Sequence, residues 1–238
     1  MWTFYNMINI LQNKFVFFSI VLFLVIIILG FSYLSIKKTV DEPFGYDFDS
    51  NEYIEPKIYP NFITEEEAQY ILNSSNNKYI ESEVVGGINT QIRKSKTCWL
   101  DKNDATIRKI IQRVCKLGNY SFDNAEELQV VKYDPNGYYN EHHDSCCDNN
   151  KRCMDFNKQG GNRVITMVIY LNDDFDGGET RFINLDKKFK PAKYSGIRFY
   201  PMNKNGDKCH NLALHAGMPI TSGNKYIANI WIRENIFE

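Results

Sequence analysis

The sequence predicts an α+β chain that is mainly β: a β-sandwich or jelly roll with supporting helices on its N-terminal side, preceded by one transmembrane helix. Three observations predict it. A charge-free apolar run fills residues 15–34, two helical patterns with capping signals fall between residues 64 and 118, and from Leu128 onward short β-rich runs alternate with turn residues. Helices followed by many short strands are the order expected of a sheet-on-sheet core buttressed at one side.

The apolar run reads FVFFSIVLFLVIIILGFSYL, from Phe15 to Leu34, with Lys14 before it and Lys37 and Lys38 after it. About 20 such residues cross the hydrocarbon core as a helix. A cleaved signal peptide is the alternative, but it has a shorter apolar region and a small-residue cleavage site; Ile36-Lys37-Lys38 offers none. The chain is therefore divided into a tail (1–14), a membrane anchor (15–36), an acidic, turn-rich linker (37–56) and a folded domain (57–238). The charges flanking the span nearly tie, so they do not orient it.

The domain opens with Thr64 followed by Glu67, a capping-box pattern, and a helix is expected from about Glu65 to Leu72. A second helix fits Ala105 to Leu117, where Ile107, Ile110, Ile111 and Val114 recur at helical spacing and Gly118 stands just past the end. The expected strands are LQVVKY, RVITMVIYL, ETRFI, GIRFY, LALH and KYIANIWI, with turns at Asp176-Gly177-Gly178 and Ser222-Gly223-Asn224.

Composition narrows the function. Acidic and basic residues number 29 and 28, leaving a formal charge of −1, so the basic footprint of a nucleic-acid-binding domain is missing and no nucleic-acid partner is expected. Six cysteines are present, at 98, 115, 146, 147, 153 and 209. Zinc binding by the 146, 147 and 153 group, a loop disulfide and free thiols are all open at this point; no paired CxxC spacing supports zinc. Two short sequons, at Asn73 and Asn119, would accept glycans if the domain were lumenal.

All four histidines lie in the strand-rich half. In the segment Tyr133-Asp-Pro-Asn-Gly-Tyr-Tyr-Asn-Glu-His142-His143-Asp144, an extended strand would put His142 and Asp144 on one face and His143 on the other. A third ligand, His215, would complete a facial triad of two imidazoles and one carboxylate, the arrangement of non-haem Fe(II) oxygenases. An isolated His-x-Asp is a weak signal. The segment that begins at His215 strengthens it, because a turn follows and then Lys225 in the next strand, placed to meet a dicarboxylate that chelates the metal at its other end.

These segments, with Gly160-Gly-Asn-Arg-Val-Ile-Thr-Met-Val-Ile-Tyr-Leu and Gly177-Gly-Glu-Thr-Arg-Phe, resemble the prolyl 4-hydroxylase branch of the Fe(II)/2-oxoglutarate-dependent dioxygenases, over roughly Asn61 to Arg233. The resemblance implies a double-stranded β-helix, with Fe(2+), 2-oxoglutarate and L-ascorbate as cofactors. It implies His142, Asp144 and His215 as metal ligands, and Lys225, Tyr133 and Thr166 as the 2-oxoglutarate pocket. Tyr139, Arg163, Trp231 and Arg233 match positions near the hydroxylation site, with Trp231 also counted among the cofactor-binding residues. The expected partner is a proline-containing peptide, and the expected place is the lumen of the endoplasmic reticulum, with the membrane held through the anchor. Lysyl, asparaginyl or non-protein targets are the alternatives within the chemistry. An inactive binding module displayed on a membrane is the alternative outside it.

Simpler readings stand beside these. Lys225 alone would be an ordinary strand-edge charge, Trp231 and Tyr139 would serve equally as packing, and His210 reads as a solvent-exposed loop residue. The polar stretch Ser145 to Gly161, with its three cysteines, departs from the family pattern and reads either as a lid or substrate-selective loop or as a surface excursion stapled by a disulfide.

Overall fold

The computed structural model describes residues 45–84 and 87–238. The chain divides into two units, Met1–Glu42 and Pro43–Glu238, and the described residues belong to the second. The expected tail, the membrane span and the first part of the linker lie outside the described residues. Among the described residues no helix is long and apolar enough to cross a membrane.

In chain order the elements are β1 (Tyr46–Asp47), β2 (Lys57–Tyr59), α1 (Glu65–Ser75), β3 (Ile80–Glu81), β4 (Arg93–Lys94), β5 (Lys96–Leu100), α2 (Ala105–Gly118), β6 (Leu128–Tyr133), β7 (Tyr138–His142) and α3 (Lys151–Asn157). They continue with β8 (Arg163–Tyr170), β9 (Phe175–Gly177), β10 (Thr180–Phe182), β11 (Lys187–Phe189), β12 (Gly196–Phe199), β13 (Cys209–His210), β14 (His215–Gly217), β15 (Ile220–Gly223) and β16 (Lys225–Arg233). A seven-stranded sheet has the order β2-β12-β8-β16-β6-β5-β3 and a five-stranded sheet the order β11-β10-β14-β7-β4. The domain is mainly β and forms the expected jelly roll.

The two longer helices, α1 and α2, form where their capping and spacing patterns predict. Thr64 Oγ1 accepts from the Glu67 amide at 3.2 Å while Glu67 Oε2 accepts from the Thr64 amide at 3.0 Å, a complete capping box. Glu67 then receives both ends of Arg113, at 3.0 and 2.7 Å, which ties α1 to α2. The first helix runs three residues beyond the expected Leu72. The second ends differently from expectation: Gly118 is its last residue, and Asn119 takes the left-handed cap at φ 58°. A Cβ on Gly118 would sit 2.1 Å from Ile165 Cδ1, so close helix–sheet packing is what requires that glycine.

Two buried clusters lie on opposite faces of the large sheet. Ile71, Ile107, Ile110, Ile111 and Val114 from the helices pack with Leu128, Val130, Ile165, Met167, Ile169, Ala228, Ile230 and Ile232. The second cluster joins Val131, Tyr133, Val168, Tyr170 and Ile227 to Phe182 of the small sheet. Because successive strand side chains alternate in direction, β16 sends its even-numbered residues to the helices. Lys225, Ile227, Asn229, Trp231 and Arg233 go to the space between the sheets.

Three expectations are corrected. LALH is not a strand: Asn211–Ala213 is a 3₁₀ turn and the strand starts at His215. The linker is partly folded, since Tyr46–Asp47 pairs in parallel with Cys209–His210 and Tyr53 is buried. That same segment covers His210, which is fully buried rather than exposed. Its ring packs at a tilt against Tyr53, with centroids 4.6 Å apart, and its Nε2 lies 2.9 Å from the Asp49 carbonyl.

The cysteine question resolves into two disulfides, Cys146–Cys153 and Cys147–Cys209, with Cys98 and Cys115 free and buried. Zinc has no thiolates left to bind in the 146–153 group. The Ser145–Gly161 excursion is stapled as expected, but to β13 as well as to itself, and it contains α3.

Candidate metal centre

β7 and β14 are antiparallel neighbours, and His142 and His215 are direct register partners. Each ring is fixed the same way: His142 Nδ1 lies 2.7 Å from the Asn140 carbonyl and His215 Nδ1 lies 3.0 Å from the Ala213 carbonyl. A ring whose Nδ1–H donates to a carbonyl presents an unprotonated Nε2, the form a metal requires. Asp144 lies just past the end of β7 rather than within it, yet its carboxylate still falls beside both imidazoles. His142 Nε2 is 3.8 Å from Oδ1, and His215 Nε2 is 3.9 Å from Oδ2. The three ligand atoms all lie within 4.8 Å of one another.

His143 is excluded from this group. It turns to the opposite side, where its ring packs against Tyr46 at 5.1 Å.

Electrostatics favours a bound cation. Burial, and then the neighbouring His215 ring, pushes the His142 pKa well below its ordinary value, so the ring is neutral at neutral pH. Burial acts to raise the Asp144 carboxyl, but His215, His142, Arg163 and the Thr166 hydrogen bond together hold it below the usual carboxylate range. Two imidazoles, each with its Nδ1 turned to a backbone carbonyl, and one buried carboxylate are the donor set that suits Fe(II) with open coordination positions.

The structure places the remaining expected residues as follows. Thr166 and Trp231 both reach Asp144 Oδ2, the hydroxyl at 2.6 Å and the indole N–H at 3.1 Å. The fold thus ties both to the metal-side carboxylate, including Thr166, expected in the 2-oxoglutarate pocket. Tyr139 stacks on His142 with centroids 3.6 Å apart. The Arg163 guanidinium lies 3.7 Å from the centre of the Trp231 ring and is held by both oxygens of Glu126, at 2.6 and 2.8 Å. Arg233 also donates to Glu126 Oε1, at 2.7 Å, so one buried carboxylate neutralises two guanidinium groups.

Lys225 stands opposite Tyr133 in the β16–β6 register and is 2% exposed. Its ammonium donates to the Gly178 carbonyl at 2.6 Å and to the Tyr170 hydroxyl at 3.4 Å. Among the described residues no carboxylate lies within salt-bridge distance of it. Burial pulls its pKa down to about 7, the shift expected of an ammonium taken out of water with no carboxylate against it. Gly178, at φ +67°, makes this possible, since a Cβ there would lie 2.3 Å from Ile220 and 3.3 Å from the Lys225 side chain.

Two members of the site were missed in the sequence, Glu126 and Arg93. Arg93 is buried, donates from Nε to Ser95 Oγ at 2.8 Å and lies 4.7 Å from the Tyr139 ring centre. Neither falls in a motif; only their contacts identify them.

Comparison with known proteins accords with this geometry. A family model of the 2OG-Fe(II) oxygenase superfamily matches residues 128–233. A putative prolyl 4-hydroxylase of Acanthamoeba polyphaga mimivirus is 46% identical over 196 residues, covering 82% of this chain and 81% of the viral one. The chain belongs to the prolyl 4-hydroxylase branch of the 2-oxoglutarate- and Fe(II)-dependent oxygenases. Prolyl 4-hydroxylase 1 of Arabidopsis thaliana is also similar, 30% identical over 199 residues, covering 74% of this chain and 68% of that one. Among solved structures, a viral collagen prolyl hydroxylase of Paramecium bursaria chlorella virus 1, in complex with 2-oxoglutarate, aligns with a TM-score of 0.57 and 28% identity. That alignment covers 74% of this chain and 94% of the other. As a member of this branch the chain is a 2-oxoglutarate-dependent dioxygenase using Fe(2+), and ascorbate is typical of the family. An inactive binding module is no longer a competing description.

Proposed function

We propose that the chain hydroxylates a proline within an extended peptide, releasing succinate and CO2, and forms 4-hydroxyproline. The observation that carries this reading is 46% identity to a putative prolyl 4-hydroxylase across more than four-fifths of both chains. The His142–Asp144–His215 group and a buried, unpaired Lys225 support it.

Iron and 2-oxoglutarate, when bound, supply the oxygen-activating chemistry. The chain supplies the rest. His142, His215 and Asp144 would hold the metal, and Thr166 and Trp231 fix the Asp144 carboxylate through its Oδ2. Lys225 meets the distal carboxylate of 2-oxoglutarate, and Tyr133 lies against the same ammonium, 5.5 Å from its ring centre. Tyr139, Arg163 and Arg233 border the place of the reacting residue. Proline-rich peptides are pre-extended, so docking one orders fewer degrees of freedom than docking a flexible chain.

The same reading includes the anchor at 15–36 and a lumenal domain in the endoplasmic reticulum. The two disulfides support an oxidising compartment.

The deciding experiment incubates the full chain with Fe(II), 2-oxoglutarate, ascorbate and proline-rich peptides, then locates the added oxygen by fragmentation. Oxygen on proline C4 is expected. Oxygen on lysine or asparagine alone, with proline peptides inert, would remove the prolyl assignment and leave the oxygenase standing.

A further inference from the structure

Trp99 projects from the inner face of β5, since its neighbours Cys98 and Leu100 both belong to the helix-side core. It is 47% exposed. Exposure alone carries no meaning, because single apolar side chains on a surface are ordinary. Its position does carry meaning. The Trp99 and Trp231 ring centroids are 6.1 Å apart, and Trp231 is bonded to the metal-side carboxylate. Arg163, Trp231 and Trp99 therefore form a row that starts beside the buried Asp144 carboxylate and ends in solvent.

The floor between the two indoles is polar. Gln129 is the register partner of Trp99 on one side and of Asn229 on the other. Asn229 Nδ2 donates to Gln129 Oε1 at 3.0 Å. That bond uses one donor and one acceptor. The Gln129 amide NH2 and the Asn229 side-chain carbonyl make no other bond among the described residues, which leaves donors and an acceptor, the complement of a peptide unit.

We propose that Trp99, together with the Gln129–Asn229 amide pair, forms an outer subsite for the substrate residue about two places along the chain from the one that reacts. Trp231 is 5% exposed and faced by Arg163, so Trp99, 6.1 Å further out, is the indole that a flanking residue reaches; at a rise of about 3.1 Å per residue in the polyproline form, that offset is of the order of two residues. The indole face suits a pyrrolidine ring, as in other aromatic-lined polyproline grooves, so a second proline is favoured there over glycine or an acidic residue. This rests on the reading that the substrate is a proline-containing peptide.

The test uses the full chain and peptides with one reactive proline, carrying proline, glycine or aspartate two positions away on either side. The wild type is expected to show a KM roughly fivefold lower for the flanking proline than for glycine, the scale of one aromatic contact. Trp99→Ala should abolish that preference through KM, Trp99→Phe should keep part of it, and the KM for 2-oxoglutarate should stay where it was. An undiminished preference in Trp99→Ala would overturn the subsite while leaving the proline reading intact. A uniform fall in kcat on all peptides, with the 2-oxoglutarate KM shifted, would also overturn it, by marking Trp99 as structural. A wild type that oxidises none of the prolines would overturn the underlying reading and the subsite with it.

Discussion

Thr166 and Trp231 face each other as register partners on β8 and β16, and both donate to one oxygen of Asp144, at 2.6 and 3.1 Å. Two strands of the large sheet thereby hold a carboxylate that belongs to neither. The arrangement fixes the carboxylate's rotation and reserves its other oxygen, in the manner of outer-shell partners that orient metal ligands.

Removing either donor should therefore weaken metal binding without removing a ligand. Thr166→Val and Trp231→Phe should each lower Mn(II) affinity, used as a redox-silent probe, by about 10- to 100-fold. The double variant should fall short of the product, since both act on one atom. His142→Ala should abolish binding, whereas His143→Ala should retain it. Equal loss in both histidine variants would show that the wrong imidazole has been assigned.

As the proposed anchor of 2-oxoglutarate, Lys225 should make the binding of that ligand pH-dependent. Its folded pKa of about 7 lies below its ordinary 10.5, so without ligand the unfolded chain holds more protons between those values. Stability contributed at this position thus rises with pH across that window. The charged ammonium is what a dicarboxylate needs, so above pH 7 binding must take up a proton and affinity should fall by about tenfold per pH unit. Calorimetry in buffers of different protonation enthalpy will measure that uptake. Lys225→Ala should remove it and weaken binding by about 2–5 kcal/mol.

The Arg163–Glu126–Arg233 triad should be costly to break. Glu126→Gln leaves two buried guanidinium groups sharing no counter-charge, a destabilisation of about 3–5 kcal/mol, readable as a lowered denaturant midpoint. A midpoint unchanged within error would mean that water replaces the carboxylate.

Cys147–Cys209 spans 62 residues and Cys146–Cys153 spans 7. Loop-closure entropy assigns the longer link about 4 kcal/mol and the shorter about 2. Cys147→Ser with Cys209→Ser should lower Tm by about 10 °C or more, and the Cys146–Cys153 pair by less. Protease protection of the domain in sealed microsomes is the matching test of its lumenal location; digestion without detergent would place it in the cytosol.

The His142–Asp144–His215 group was legible because its members lie in short segments whose spacing carries the chemistry. The helix start at Thr64 was legible for the same reason, since both partners of its capping box are three residues apart. What was not legible depends on distant chain. Glu126 meets Arg233 across 107 positions, and His210 is buried by Asp49 and Tyr53 from a stretch that reads as linker. Asp144 lay outside the strand that alternation assumed, but a sharp bend returned it to the same side. The bond from Thr166 to the Asp144 carboxylate was not legible, because the register of β8 against β16 decides it.

The even–odd division of β16 has an evolutionary corollary. Inserting or deleting a single residue between Lys225 and Arg233 would turn the aliphatic side of the strand toward the chemistry and bury an ammonium, an indole and a guanidinium against the helices. Drift in substrate preference must therefore proceed by replacement along this strand and by length change elsewhere, in loops such as Ser145–Gly161. That excursion can change length between its disulfide anchors, whereas the nine residues of β16 have no room to slip by one.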